Sequence, residues 1–270
     1  MEMKKFPVEL SFILRLLRLV AFVSLLFVIS CSPLRVYRED PDVRAWEPEI
    51  QKFEQLDAAK YYPEDAVMFA GSSSIRLWST INRDMLSYNV IQRGYGGAKL
   101  GDFAVYAKRI IYPHKCSAIV LFIANDISGS DDDKSPSEVA NLFRTTLNII
   151  RRKHPDTPVF WISITPTPAR WKVWPEIKEA NELIRKICKN NRSNTYYIDT
   201  EPYFLTKSGL PRNELFQDDR LHLNADGYAL WSELIKNELN KVLKNYTLHN
   251  ENLSSIFYVI YCIGFLKCTG

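Results

Sequence analysis

Residues 66–78 read AVMFAGSSSIRLW, and this stretch decides the fold. It begins as a continuous apolar run and reaches one glycine and three serines, which is typical of a buried strand followed by a turn. Four similar runs occur later in the chain. The five predicted strands are Ala66–Ala70, Tyr88–Ile91, Ala118–Ile123, Val159–Ile164 and Thr195–Ile198. Most of these runs do not alternate with polar residues, as expected of parallel strands that are covered on both faces.

Segments with helical spacing of apolar residues separate the predicted strands. Ser137–Arg152 is one of them, and Pro136 just before it suits the start of a helix. Glu176–Asn190 and Ala225–Leu243 have the same character. The alternation of strands and helices predicts one α/β domain over residues 48–244, a three-layer α/β/α sandwich with a flavodoxin-like, five-stranded parallel sheet.

The overall composition excludes several classes of protein. The 270 residues are 46% hydrophobic, which is ordinary for a globular protein and unlike a disordered or collagen-like chain. The net charge of +4 comes from 35 basic and 31 acidic residues, so we expect no nucleic-acid partner. No Cys/His spacing suggests a metal site, and Cys116 and Cys188 are predicted to be buried free thiols.

The N-terminal 30 residues have the pattern of a targeting segment. Basic residues precede Leu19–Ser30, an uncharged apolar run that is too short to span a membrane but suits the apolar core of a signal peptide. The run ends at Val28-Ile29-Ser30-Cys31, which resembles the lipobox of bacterial lipoproteins. That resemblance implies a signal peptide over 1–30, a lipidated Cys31 and an exported protein anchored in the cell envelope. The serine after the cysteine points to the outer membrane. An ordinary secretory signal with a chance cysteine is the alternative.

Two further segments flank the predicted domain. Residues 31–47 are polar, contain two prolines and suit a tether. Residues 245–270 form a tail whose apolar part, Ile256–Leu266, is too short to cross a bilayer, and the sequence assigns it no role.

Polar residues follow each predicted strand, at the edge where open parallel sheets bind ligands. In order, these groups are Gly71-Ser72-Ser73-Ser74, Arg93-Gly94-Tyr95-Gly96-Gly97, Ala124-Asn125-Asp126, Thr165-Pro166-Thr167-Pro168 and Asp218-Asp219-Arg220-Leu221-His222. A serine needs a base to become a good nucleophile, and His222 is suited to that task near neutral pH. Asp219, three residues earlier, is placed to orient the imidazole, while glycine amides and Asn125 are candidate donors to an oxyanion. The edge therefore carries the parts of a hydrolytic site.

These groups resemble, in order, the sequence blocks of the SGNH hydrolase superfamily, also called GDSL-like lipases and acylhydrolases. The resemblance spans residues 66–243 and is carried by Gly71-Ser72-Ser73, by Gln92 to Gly97, by Asn125-Asp126 and by Asp219 with His222. It implies that Ser73 is the nucleophile of a triad with His222 and Asp219. It also implies an oxyanion hole built from the amides of Ser73 and Gly97 and the side chain of Asn125.

The sequence departs from the family pattern at three positions. Ser72 replaces the family aspartate, although the subgroup with a GSSS motif has serine there, and Gln92 replaces asparagine. Ile123 stands where the third block has glycine, which puts the placement of Asn125 in doubt.

Other interpretations of the same residues stay open. Ser72 or Ser74 is an alternative nucleophile, and Asn125 is an alternative turn cap. Asp126 is interpreted as structural, and Asp131-Asp132-Asp133 as a solvated loop and not a calcium site. Trp171 and Trp174 line a sugar or acyl site or simply pack over the sheet edge. His114, His154 and His249 are predicted to be solvated.

Two functions remain. The first is a lipid-anchored serine esterase that forms an acyl-enzyme on Ser73, uses no metal or cofactor, and cleaves small esters, with acetyl groups on glycans as one candidate. The second is a binding or scaffold lipoprotein that kept the fold and lost turnover.

Overall fold

The computed structural model describes residues 34–189 and 194–243, together with the single positions Arg15 and Arg18. The chain divides into two compact units, Met1–Ala45 and Trp46–Gly270. In the described part of the first unit, helix α1 covers Arg35–Glu39 and helix α2 covers Pro41–Arg44. Asp40 caps α2 by accepting a hydrogen bond from the Asp42 N–H at 2.9 Å. The segment interpreted as a tether thus contains two short helices, and its tethering role stays a prediction.

The second unit is built on a parallel sheet. Its strands are β1 (Val67–Gly71), β2 (Val90–Gly94), β3 (Ala118–Phe122), β4 (Val159–Ile162) and β5 (Thr195–Ile198). Their order is β2-β1-β3-β4-β5, and every neighbouring pair is parallel. All residues of β1, β3 and β4 are buried, which explains their unbroken apolar sequence. The predicted flavodoxin-like α/β fold is confirmed.

Helices cover both faces of this sheet. They are α3 (Glu47–Ala59), α4 (Ser73–Arg76), α5 (Ile81–Asp84), α6 (Leu100–Ile111), α7 (Pro136–Arg151), α8 (Trp174–Cys188), α9 (Glu201–Phe204) and α10 (described over residues 225–243). Short 3₁₀ segments cover Pro168–Val173 and Asn213–Leu215. The start of α7 has a capping box, in which the Ser135 hydroxyl accepts from the Glu138 N–H while the Glu138 carboxylate accepts from the Ser135 N–H.

The strand register shows which helices share a face. Trp161 of β4 lies beside Leu121 of β3, so its side chain and that of Phe122 are on opposite faces. Trp161 packs against Phe143 of α7, with ring centroids 4.8 Å apart, and α7 packs side by side with α6 and α8. On the other face, Phe122 packs against Trp231 of α10 at 4.6 Å. The two helical layers and the sheet make the predicted three-layer sandwich.

The strand order places a switch point at the centre of the sheet. The chain leaves β1 for β2 on one side, then returns to β3 on the other side and continues outward to β5. In such sheets the crevice beyond the carboxyl ends of the two central strands is the usual ligand site. Here those ends are Gly71 of β1 and Phe122 of β3, which are register partners.

Several elements differ from the prediction, among them strand β2 and helix α3. Strand β2 was predicted over Tyr88–Ile91 and instead covers Val90–Gly94, because the polar Gln92 and Arg93 are part of it and find partners in the interior. Helix α3 was not predicted. Only Ile50 and Phe53 of its 13 residues are fully buried, so its apolar periodicity is weak.

Candidate functional site

The turn after β1 brings Ser73 to the carboxyl edge of the sheet. Gly71 has φ +144°, and a Cβ at this position would lie 1.9 Å from the Phe122 carbonyl oxygen. Only glycine permits this approach of β1 to β3. The Ser72 N–H donates to the Phe122 carbonyl at 2.9 Å, and Ser73 then begins the short helix α4. The turn therefore holds the Ser73 side chain at the switch point.

His222 and Asp219 reach the same place from the loop that precedes α10. His222 Nε2 lies 2.9 Å from Ser73 Oγ, and His222 Nδ1 lies 2.6 Å from Asp219 Oδ2. The other Asp219 oxygen, Oδ1, accepts the backbone N–H groups of Leu221 and His222, each at 2.9 Å. These bonds fix the carboxylate, which in turn fixes the imidazole plane toward the serine. The three residues predicted as a triad are thus joined in one hydrogen-bonded series.

The electrostatics of Asp219 suit an orienting carboxylate. Partial burial raises its pKa, but hydrogen bonds from the His222 ring and from two backbone N–H groups outweigh burial, and the net pKa is below the usual aspartate value. Asp219 therefore stays ionised under all conditions near neutral pH. Its side chain is 46% exposed and that of His222 is 22% exposed, so the site is open to solvent on this side.

Asn125 lies in the wall of the same cavity. This cavity measures about 20 Å³ and is bounded by Ser72, Ser73, Ser74, Phe122, Ala124, Asn125, Ile164, Thr165, Thr167, Arg170, Leu221 and His222. Asn125 Nδ2 donates to the Ala98 carbonyl at 3.1 Å, which leaves the second N–H of that amide for another acceptor. Asn125 and Ser73 thus line the same cavity in a chain that has isoleucine at position 123.

Gly97 is the least directly placed of the predicted oxyanion donors. It does not line the cavity, but the next residue, Ala98, is the one that Asn125 binds. Within the described part of the chain, the N–H groups of Ser73 and Gly97 have no hydrogen-bond acceptor. Both amides remain available as donors to a bound group.

Two residues to which the sequence assigned no role hold the turn around Ser73 in place. Gln92 Nε2 donates to the carbonyls of Ile75 and Trp78, at 2.7 and 3.1 Å. The Tyr228 hydroxyl of α10 donates to the Ser74 carbonyl at 2.9 Å. Gln92 stands where the family has asparagine, and its longer side chain spans the distance from β2 to the turn.

Arg170 is a third residue that the sequence did not single out. It follows β4 in the first 3₁₀ segment and lines the cavity. Its guanidinium donates to Asn125 Oδ1 at 2.6 Å and also to the Ala124 carbonyl. Burial lowers the pKa of Arg170, against smaller opposing effects of Asp133 and Asp126. The sequence offered one signal for Arg170, which is its position after a strand end. Polar residues at that edge of the sheet are all candidates for the functional site.

Asp126 has a structural place, as the sequence suggested. Its Oδ2 accepts the N–H of Leu100 at 2.8 Å, at the start of α6. Burial raises its pKa to about 6, although the Leu100 hydrogen bond opposes that effect. Its Oδ1 has no partner among the described residues. Asp126 thus connects the Asn125 loop to the loop that carries Gly97.

The structure shows the surroundings of two histidines and two cysteines outside the site. His114 and His154 are buried, 6% exposed each, so their predicted solvation is wrong. His114 packs against Tyr62 and lies 3.2 Å from Asp57, contacts between distant segments that the local sequence does not reveal. Cys116 and Cys188 are buried free thiols, as predicted.

The aromatic and acidic segments near the site have local partners. Trp171 and Trp174 stack on each other, with ring centroids 5.9 Å apart, and neither lines the cavity. Asp133 accepts the N–H groups of Ser128 and Gly129, which closes the acidic loop. In the part of the chain that the structure describes, no cluster of His, Cys, Asp and Glu has the makings of a metal site.

The predictions for the chain ends lie outside the described residues. These are the signal peptide over 1–30, the lipidated Cys31, His249 and the tail over 245–270. Among the residues that are described, no helix combines the length and apolarity that a membrane crossing requires.

The sequence matches the model of the GDSL-like Lipase/Acylhydrolase family over residues 65–230. This match covers more than half of the chain. The chain belongs to this family. As a GDSL-like protein it is a carboxylic ester hydrolase, and the matched residues run from β1 through the His222 loop into α10.

Solved structures share the fold of this GDSL-like chain at low sequence identity. A GDSL-like lipase from Bacteroides thetaiotaomicron is 18% identical, with a TM-score of 0.61 over 71% of this chain and 97% of the other. A lipase/acylhydrolase from Enterococcus faecalis is 20% identical, with a TM-score of 0.52 over 66% of this chain and 96% of the other. An acetyl xylan esterase, AlAXEase, is 18% identical, with a TM-score of 0.53 over 64% of this chain and 99% of the other. A search of curated proteins finds no match.

Proposed function

We propose that this protein is a serine esterase that cleaves small acyl esters, acetyl esters among them, through an acyl-enzyme on Ser73. The observation that carries the proposal is the hydrogen-bonded series from Ser73 Oγ to His222 to Asp219, with separations of 2.9 and 2.6 Å. These are the contacts that a serine needs to pass its proton to a base while a carboxylate holds that base in the correct tautomer.

The first half of the reaction transfers the acyl group to the protein. Ser73 Oγ attacks the ester carbonyl carbon as its proton passes to His222 Nε2. The carbonyl oxygen becomes an oxyanion that the Ser73 and Gly97 amides and the Asn125 side chain stabilise. The carbon–oxygen bond to the alcohol then breaks, and His222 gives the proton to the departing alcohol. The acyl group remains on Ser73.

The second half returns the protein to its starting state. Water attacks the acyl carbon as one of its protons passes to His222. The bond to Ser73 Oγ breaks, Ser73 recovers a proton from His222, and the acid leaves. Asp219 stays ionised throughout and stabilises the imidazolium that forms twice in each cycle. The non-catalytic alternative is not favoured, because a scaffold has no need to keep all three groups in hydrogen-bond contact.

The size of the cavity supports a small acyl group. The cavity beside the serine is narrow, at about 20 Å³, which favours a small acyl group over a long one. A long acyl chain would need a larger apolar groove. Glycan esters are our candidate alcohols, since the half-buried Trp171 directly follows Arg170, a residue of the cavity wall. The structural likeness to an acetyl xylan esterase fits this assignment.

Hydrolysis of a series of p-nitrophenyl esters tests the acyl preference. We expect kcat/KM to be highest for the acetate and to fall by about tenfold or more at the octanoate, because a narrow cavity excludes the longer acyl chain sterically. Stopped assays on acetylated and deacetylated xylan oligomers, with release of acetate as the readout, test the alcohol. A preference for the octanoate would contradict the proposal.

We also propose that the protein is exported and held in the cell envelope by a lipid on Cys31. The basic, apolar and cysteine-containing order of residues 1–31 supports this. Metabolic labelling with an alkyne fatty acid in a bacterial host is expected to label the full chain and not a Cys31→Ala variant. Equal labelling of both proteins would contradict it.

A further inference from the structure

Arg170 lies in the wall of the cavity and is held both at its backbone and at its guanidinium. The Thr167 hydroxyl accepts the Arg170 N–H at 3.3 Å, and the neighbouring Ala169 N–H donates to the Arg220 carbonyl at 3.1 Å, in the loop that carries His222. The guanidinium then reaches back 45 residues in sequence to Asn125 Oδ1, at 2.6 Å. Both ends of the side chain are therefore fixed.

Within the described residues, the charge of Arg170 has no direct counter-ion. No carboxylate among the described residues lies within ion-pair distance of it, and its side-chain partners are the neutral oxygens of Asn125 and Ala124. Most surface arginines need no such arrangement, because water solvates them. Removing a guanidinium from water without a carboxylate partner costs free energy, and such groups concentrate at functional sites.

The contact with Arg170 decides which way the Asn125 amide faces. Its oxygen accepts from the guanidinium, so its nitrogen must lie on the other side, where it donates to the Ala98 carbonyl at 3.1 Å. A flipped amide would bring N–H groups against N–H groups on one side and two oxygens together on the other. The guanidinium also draws electron density from the amide, which makes the remaining N–H a stronger donor.

We propose that Arg170 is a positioning residue for ester hydrolysis, which orients and polarises the Asn125 amide as a donor to the oxyanion. The proposal rests on the proposed function, since it assigns a role within that reaction. It goes beyond the Ser73, His222 and Asp219 series, because it places a cation behind the oxyanion hole and not in contact with the substrate. The expected signature is a loss in kcat that depends on Asn125.

A double-mutant cycle on p-nitrophenyl acetate hydrolysis by the full chain tests this role. Asn125→Ala is expected to lower kcat by about 10²- to 10³-fold, as for other oxyanion donors. Arg170→Met is expected to lower kcat by about 10- to 100-fold with KM changed less than about threefold, and to cost less than about twofold when Asn125→Ala is already present. Arg170→Lys keeps a donor and a charge, and is expected to recover part of the loss.

Lys172→Met is the matched control, because Lys172 is an exposed cation of the same 3₁₀ segment. It is expected to leave kcat unchanged, which separates the Asn125 contact from a general effect of charge. Urea unfolding of each variant shows that the fold is kept. If Arg170→Met does not fold, the Arg170→Lys variant completes the cycle, with a loss expected only where Asn125 is present.

Each other outcome overturns a defined statement. Losses from Arg170→Met and Asn125→Ala that simply multiply would show that Arg170 does not act through Asn125. A raised KM confined to anionic esters such as p-nitrophenyl hydrogen succinate, with kcat unchanged, would make Arg170 a substrate-binding group instead. If the wild-type chain neither hydrolyses esters nor reacts with a fluorophosphonate, the proposed function itself is wrong.

Discussion

Ser73→Ala is expected to lower kcat/KM for p-nitrophenyl acetate by about 10⁴-fold or more, because no other group can form the acyl-enzyme. In the structure, only the Ser73 hydroxyl of the three adjacent serines is paired with His222. The oxyanion donors and the cavity remain in the variant, so a residual rate above that of water is expected. Initial rates with purified full-length protein, and stoichiometric labelling by a fluorophosphonate probe, measure the effect.

The neighbouring serines provide the controls. Ser72→Ala and Ser74→Ala each remove a hydroxyl from the same turn, and both are expected to change kcat/KM by less than about tenfold, because the contacts recorded for this turn at Ser72 and Ser74 are made by backbone atoms. If one of these variants loses the activity while Ser73→Ala keeps it, the assignment of the nucleophile is wrong. The comparison therefore settles the choice that three adjacent serines leave open in the sequence.

His222→Ala is expected to produce a loss of similar size, about 10⁴-fold in kcat/KM. The reason is that Ser73 then keeps its proton, since the described residues around it offer no second base. The rate of fluorophosphonate labelling should fall in parallel, because that probe also requires an activated hydroxyl to displace fluoride. Stopped-flow or steady-state hydrolysis gives the first readout and intact mass the second.

The combined effect of two mutations on kcat/KM shows whether Ser73 and His222 act in one mechanism or independently. The Ser73→Ala/His222→Ala double variant is expected to be no slower than either single variant, because the two groups act as a unit. A further loss of tenfold or more in the double variant would contradict the proposed proton transfer between them. Circular dichroism and the urea midpoint check that the buried layer near α10 is unchanged.

The sequence predicted the fold well because the strands are buried on both faces. Continuous apolar runs such as Ala118–Ile123 are a local signal, and β3 occupies nearly the same residues. Strand β2 was displaced because Gln92 and Arg93 are polar residues that satisfy their side chains through tertiary contacts. Helix α3 was not predicted because only Ile50 and Phe53 form its buried stripe.

In the candidate site, too, residues in local motifs were predicted and residues that depend on distant contacts were not. Ser73, Asp219 and His222 occur in short motifs at strand ends, so their types and spacing are visible in the sequence. Arg170 and Gln92 act through contacts with residues 45 and up to 17 positions away, and nothing in their immediate neighbours indicates those partners. Local pattern can identify which groups react, but the residues that orient them depend on how the layers close.

The contact between Ser73 and His222 joins residues 149 positions apart, and the Tyr228 bond to the Ser74 carbonyl spans 154. Because a ribosome makes the chain from its N-terminus, Ser73, the proposed nucleophile, is complete long before His222, its proposed base, is synthesised. A chain that stops before position 222 carries the serine turn and all five strands yet has no proton acceptor for it. By the proposed mechanism, ester cleavage therefore reports that synthesis has passed position 222. Products that end before this position are expected to show no cleavage, however much of the sheet they retain.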